Sequence, residues 1–167
     1  MARKFLIAIA AIVAIMAALA IVPAISNPRQ GLSLDYSRES LVRGASGEYS
    51  AAERLSLAIE DDGSATYSRL DSAGQQTESR RFTVGNEDLK VLRELFLGTG
   101  FMQIPVTAYS EKAGMSNFTR YQLVVESGGD SKSIQWVNPE AASTPAPSII
   151  TNAGNRLDMI LTKYAGP

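Results

Sequence analysis

The 167-residue sequence contains no cysteine and no histidine. Without cysteine there is no disulfide and no thiolate nucleophile, so the fold rests on its core alone. Without histidine there is no Ser-His-Asp triad, no histidine-ligated zinc and no histidine general base. The phosphate-binding Gly-x-x-x-x-Gly-Lys loop is missing, and no Gly-x-Gly-x-x-Gly follows a strand. "GASG" at 44–47 falls one residue short of the Gly-x-Ser-x-Gly nucleophile elbow, and Ser-x-x-Lys is absent. An enzyme is therefore not predicted. A carboxylate pair assembled by folding, as glycosidases use, is the less favoured hydrolase reading. No cofactor and no metal are predicted either. Glu60-Asp61-Asp62 is acidic but lacks the alternate-position spacing of a calcium loop, and reads as a solvated turn.

Strong charge of one sign is also lacking. Arg3, Lys4 and Arg29 are the only ionisable side chains of the first thirty residues. Removing them from the totals of 16 basic and 17 acidic leaves the body at a net charge of −4. A mildly acidic body without a basic stripe excludes nucleic acid as the expected partner.

What the sequence does have is one long apolar run. Residues 5–22, "FLIAIAAIVAIMAALAIV", hold 18 residues without a charge. As a helix this run spans about 27 Å, close to the roughly 30 Å of a bilayer core. It is apolar all round, unlike the striped helix of a small soluble core. Arg3 and Lys4 precede it, which holds that end in the cytoplasm and sends the body outside. Pro23 ends the helical pattern, and Ala24-Ile25-Ser26 offers the small residues that a signal peptidase reads. Residues 1–26 are thus a membrane anchor or a signal peptide, and 31–167 a single extracytoplasmic domain.

The body reads as four strands, a helix, two strands and a helix. "GLSLDYS" at 31–37 alternates as a half-buried strand. The Gly-, Ser- and Ala-rich stretch at 38–52 reads as a loop. The stretch at 53–71 is a hairpin with Asp62-Gly63 as a two-residue tip, which pairs Leu55 with Leu70 and Ala58 with Tyr67. "SAGQQ" turns into a further strand at 77–84. Asn86 caps a helix whose stripe is Leu89, Leu92, Leu95 and Phe96. Gly128-Gly129 tips a second hairpin that sets Tyr121 against Trp136 and Leu123 against Ile134. Tyr121 and Trp136 read as a core pair in preference to a ligand platform. A Pro-rich connector leads to a last helix interrupted by Gly154. The expected fold class is α+β, an antiparallel sheet of five to six strands with two helices on one face.

The succession of "DLKVLRELFLGTGFMQIP", the "YQLVVESGGDSKSIQW" hairpin, a Pro-rich join and a closing Leu/Ile helix resembles the emfourin-like small domains. Their namesake is a protein inhibitor of a zinc metalloprotease. The likeness spans most of residues 52–164 and implies a binding role with a protease among the partners. It carries over no functional residue. The expected function is a non-enzymatic extracytoplasmic binding module docking on a protein partner. The alternative is a tethered structural component of the envelope. Residues 38–50 and 106–118 are the irregular stretches expected to carry contacts. Asn117-Phe118-Thr119 fits the N-glycosylation pattern, which makes Asn117 a candidate acceptor.

Anchor and export signal differ in intact mass. An anchor leaves the full-length chain in the membrane fraction, whereas cleavage after Ser26 releases a soluble chain that starts at Asn27.

Overall fold

The computed structural model describes residues 31–166; the run at 5–22 lies outside them. Among the described residues no helix is long and apolar enough to cross a membrane. The elements follow the predicted order. They are β1 (Leu32–Arg43), β2 (Tyr49–Ile59), β3 (Ser64–Asp71), β4 (Gln76–Thr83), α1 (Asn86–Gly98), a 3₁₀ turn (Phe101–Gln103), β5 (Asn117–Ser127), β6 (Asp130–Val137) and α2 (Ser148–Tyr164). The fold is α+β. All six strands join one sheet in the order β4-β3-β2-β1-β5-β6, with every neighbouring pair antiparallel.

Alternation along the strands decides which side chains enter the core. Leu32, Leu34 and Tyr36 of β1, Leu55, Leu57 and Ile59 of β2, and Leu123 and Val125 of β5 are buried in one cluster. Leu89, Leu92 and Phe96 of α1 and Ile150, Leu157 and Ile160 of α2 complete that cluster, so both helices cover the same face. Burying such stripes is what holds helices of this length in place. The β5–β6 hairpin has the predicted register, Tyr121 against Trp136 and Leu123 against Ile134. Gly128 and Gly129 both take positive φ, as the two-residue turn requires.

The other three hairpins use a different turn, repeated three times. Gly44, Glu60 and Asp71 each donate their N–H to the carbonyl four residues on, at 2.8–2.9 Å. Each also accepts from the glycine three residues on, namely Gly47, Gly63 and Gly74. Those glycines have φ of 86°, 86° and 74°, while among the described residues no non-glycine residue has positive φ. This is the three-residue loop closed by a bulged left-handed glycine. It corrects the predicted two-residue tip at Asp62-Gly63, since Asp62 does not take positive φ. The register moves by one residue, and Leu55 pairs with Arg69, Leu57 with Tyr67 and Ala58 with Thr66.

Two further expectations are corrected. The stretch predicted as a loop at 38–52 is mostly strand, with only a tight turn between Arg43 and Tyr49. Residues 38–40 are polar and 44–48 form the turn, so the apolar alternation that marks a half-covered strand fades here. The cap of α1 is Gly85, one residue before Asn86, and its carbonyl accepts the Leu89 N–H at 3.0 Å.

Gly154 sits inside α2 because Trp136 packs on it. A Cβ there meets Trp136 Cζ2 at 2.8 Å, whereas one at Gly98 meets nothing within 4 Å. Alanine gains about 1 kcal/mol over glycine in a helix, but overpacking a core costs about 1–3 kcal/mol. Gly154→Ala is therefore expected to destabilise the domain by about 1–2 kcal/mol and to shift Trp136 fluorescence. Gly98→Ala is expected to leave stability equal or higher. Denaturant unfolding of the pair checks both signs.

Candidate functional site: the open face of the sheet

Among the described residues, the helices leave the opposite face of the sheet open. Its middle is built from small side chains, because the outward positions of the central strands read Ser37, Ser56, Ala58, Ser68 and Val124. These line a shallow depression of about 300 Å³ together with Asp35, Thr66 and Gln122. At its floor the Ser56 and Ser68 hydroxyls meet at 2.7 Å across β2 and β3. Glu39 and Arg54 form an ion pair on the same face. The depression is rich in hydroxyls, and Asp35 is its one charged lining residue.

One end of this face is covered by the chain itself. Leu41, Phe118, Val137, Ala141 and Ala142 form a second, smaller core, with Tyr49, Ala51 and Met115 packed against it. Tyr49 meets Phe118 edge-on at 4.9 Å. The predicted contact loop at 106–118 thus has a structural role. Its start lies along β6, where the Tyr109 N–H donates to the Gln135 carbonyl and the Gln135 N–H to the Thr107 carbonyl. Tyr109 is buried in the main core, and the Met115 carbonyl accepts from the Tyr49 hydroxyl at 2.8 Å. Asn117 is exposed at the start of β5.

The ionisable groups that fold inward act as structural ties. Asp88, in the first turn of α1, is the one buried charged side chain among the described residues. It accepts from Lys163 at 2.7 Å, Tyr164 at 2.8 Å and Arg156 at 2.6 Å, all on α2. The hydrogen bonds from Lys163 and Tyr164 hold its carboxyl below the ordinary carboxylate value. Asp158 is the opposite case. Burial raises its pKa, and Arg38 and the Tyr36 hydroxyl only partly offset this. Burial, with Asp158 second, pushes the Tyr36 phenol up as well. Arg38, Arg69 and Asp158 border a cleft of about 130 Å³ beside the end of α2. Tyr121 and Trp136 stack at 5.3 Å, but Trp136 is only 3% exposed, which leaves no open aromatic platform.

The carboxylates Glu53 and Asp71 are directly opposed across β2 and β3. Asp71 Oδ1 accepts the Ala73 and Gln75 N–H groups of its own turn, and Glu53 pairs with Arg69. Asp61 accepts from the Leu32 N–H and from Arg93. Among the described residues no cluster of acidic side chains is arranged to hold a metal ion. The Asp88, Asp158 and Asp61 ties were not visible in the sequence, because each joins residues far apart in the chain. No family model matches the chain, and no curated protein matches it.

The two aspartates predict opposite pH behaviour. A depressed carboxyl stabilises the fold above about pH 4, and that contribution is lost as pH falls through the depressed value. Asp88→Asn is expected to cost about 1–2 kcal/mol at pH 7, with the deficit closing below pH 4. Asp158 has a raised carboxyl, so its ionisation works against folding as pH rises past the ordinary value. Asp158→Asn is expected to cost less than Asp88→Asn at pH 7. Urea unfolding of both variants across pH 3–7 measures this.

Proposed function

We propose that this chain is a non-enzymatic, extracytoplasmic binding module, membrane-anchored or secreted, which docks on a protein partner through the open face of its sheet. The observation that carries this reading is the hydroxyl-rich depression at Ser37, Ser56, Ser68 and Val124, which the described residues leave uncovered and which Asp35 alone charges. A surface of small side chains lets a partner approach the strands closely, and hydroxyls both donate and accept hydrogen bonds. The inward-folded ionisable groups are taken up by structural ties, which leaves the open face as the place for recognition. The resemblance to emfourin-like domains suggests a protease as the partner class. The apolar run at 5–22 supplies the membrane attachment or the export signal, and exposed Asn117 is the proposed glycan acceptor in a glycosylating compartment.

The reading as a tethered structural component draws support from a second feature, the edge of β4, which no other described strand pairs with. A role in structure needs contacts between like domains, and a sheet edge can provide them.

The full chain carrying a photoreactive residue at Ser56 is expected to give a discrete adduct with one protein in its native fraction. The same residue at Asn155, on the exposed side of α2, is expected to give none. Ser56→Arg should abolish capture while Trp136 fluorescence stays unchanged. Equal labelling from both positions, or capture untouched by Ser56→Arg, removes the open face from the function.

A further inference from the structure

The two edges of the sheet are treated differently. At the β6 edge, Gln135 is bonded on its outer side by the segment Thr107–Tyr109. At the β4 edge no other element of the described residues pairs with the strand. Which β4 residues face outward follows from the ladder. The Val84 N–H donates to the Gly63 carbonyl, so even-numbered residues turn their backbone groups toward β3. Consistently, Ser64 turns its carbonyl toward β2, which leaves Ala65, Tyr67 and Arg69 to bond Phe82, Arg80 and Glu78. Ser79, Arg81 and Thr83 therefore present their N–H and C=O groups to solvent.

We infer that this edge pairs with the same edge of a second copy, antiparallel and centred on Ser79. A two-fold axis perpendicular to the sheet allows only registers in which a residue faces itself. Centring on Arg80 or Arg81 sets two guanidinium groups against each other, and centring on Glu78 sets two carboxylates together. Like charges directly opposite destabilise a strand pair. Centring on Ser79 places Glu78 opposite Arg80 of the other copy, twice, while Arg81 falls opposite the bulge that β4 makes at Thr77. It also makes Ser79 a hydrogen-bonded pair, which its outward backbone groups require. The Glu78 and Arg80 positions become non-hydrogen-bonded pairs, where side chains lie closest. Glu78 and Arg80 already sit together within one copy at 2.6 Å, on one face of β4, so the dimer joins two ion pairs into a four-charge cluster. An edge guarded only against pairing is served by charge of a single sign. Here Glu78 and Arg80 flank Ser79 with opposite signs, so the Ser79 register sets each against its opposite. The inference does not depend on what the open face binds.

The absence of cysteine makes the test direct. In the full chain, held in mild detergent, Ser79→Cys places two thiols across the axis with Cα atoms about 5.5 Å apart, within disulfide reach. Mild oxidation is expected to yield a covalent dimer from Ser79→Cys and none from Ser133→Cys, which is exposed on β6. Glu78→Arg and Arg80→Glu, each alone, are expected to weaken self-association about tenfold or more in sedimentation. Mixing these two variants restores opposite charges at both pairs and is expected to restore the dimer. Trp136 fluorescence reports whether each variant is folded. Cross-linking of Ser79→Cys no faster than of Ser133→Cys overturns the inference. So does a monomeric parent chain, including the case in which β4 receives a strand of a different protein. A dimer indifferent to both charge variants also overturns it.

Discussion

The sheet depends on the two ladders that β1 makes. On one side β1 holds the β2–β3–β4 meander, and on the other the β5–β6 hairpin. Both ladders run almost its whole length, from Leu34 against Ile59 to Arg43 against Tyr49, and from Leu32 against Ser127 to Val42 against Asn117. A bulge between Ser40 and Leu41 shifts the register on the β2 side only. Past it, Leu41 is buried in the small core of the open face, while Leu34 and Tyr36 serve the main core. The strand therefore supplies both cores and joins two hairpin systems that have no other ladder between them.

The helices are fixed on this sheet by one carboxylate and one missing side chain. Asp88 ties the first turn of α1 to the last turns of α2. Its partner Tyr164 also accepts the Gly85 N–H at 3.0 Å and stacks on Phe82 of β4 at 5.5 Å. A single tyrosine thus touches the helix cap, the buried acid and the edge strand. Gly154 lets α2 settle onto Trp136. Interiors pack at crystal-like density, so a position without a Cβ can be as specific as a large side chain.

How much of this could be read from the sequence follows from how local each feature is. The β5–β6 hairpin was legible down to its register, because Gly128-Gly129 admits both positive φ values and large apolar residues alternate around it. The β2–β3 hairpin was legible as a hairpin but not in register. Asp-Gly serves either a two-residue turn or the end of a three-residue one, and only the ladder separates them. The continuation of β1 past Ser37 left little trace, since Arg38, Glu39 and Ser40 are polar and Leu41 is buried on the other face. The α1 stripe was readable from spacing, whereas the Asp88, Asp158 and Asp61 ties were not, because their partners come from distant segments. The depression of the open face went unseen for a related reason. Serine and alanine at alternating positions of three strands carry no motif, and only the sheet order brings them together.

The place of β1 in the sheet also sets the order of events during synthesis. Leu34 must meet Val125, a partner made long after it, before the central ladder can close. Loop-closure entropy has to be spent before such distant contacts reward it, so sheets of this kind fold slowly. The β2–β4 meander can form as soon as it emerges, with β1 laid along one side and its other side bare. Until β5 arrives, the newborn chain therefore carries two open edges instead of one, and the first of its strands is the last to be enclosed. Folding is completed from the C-terminal third, whose hairpin and closing helix finish the core and cover α1 together.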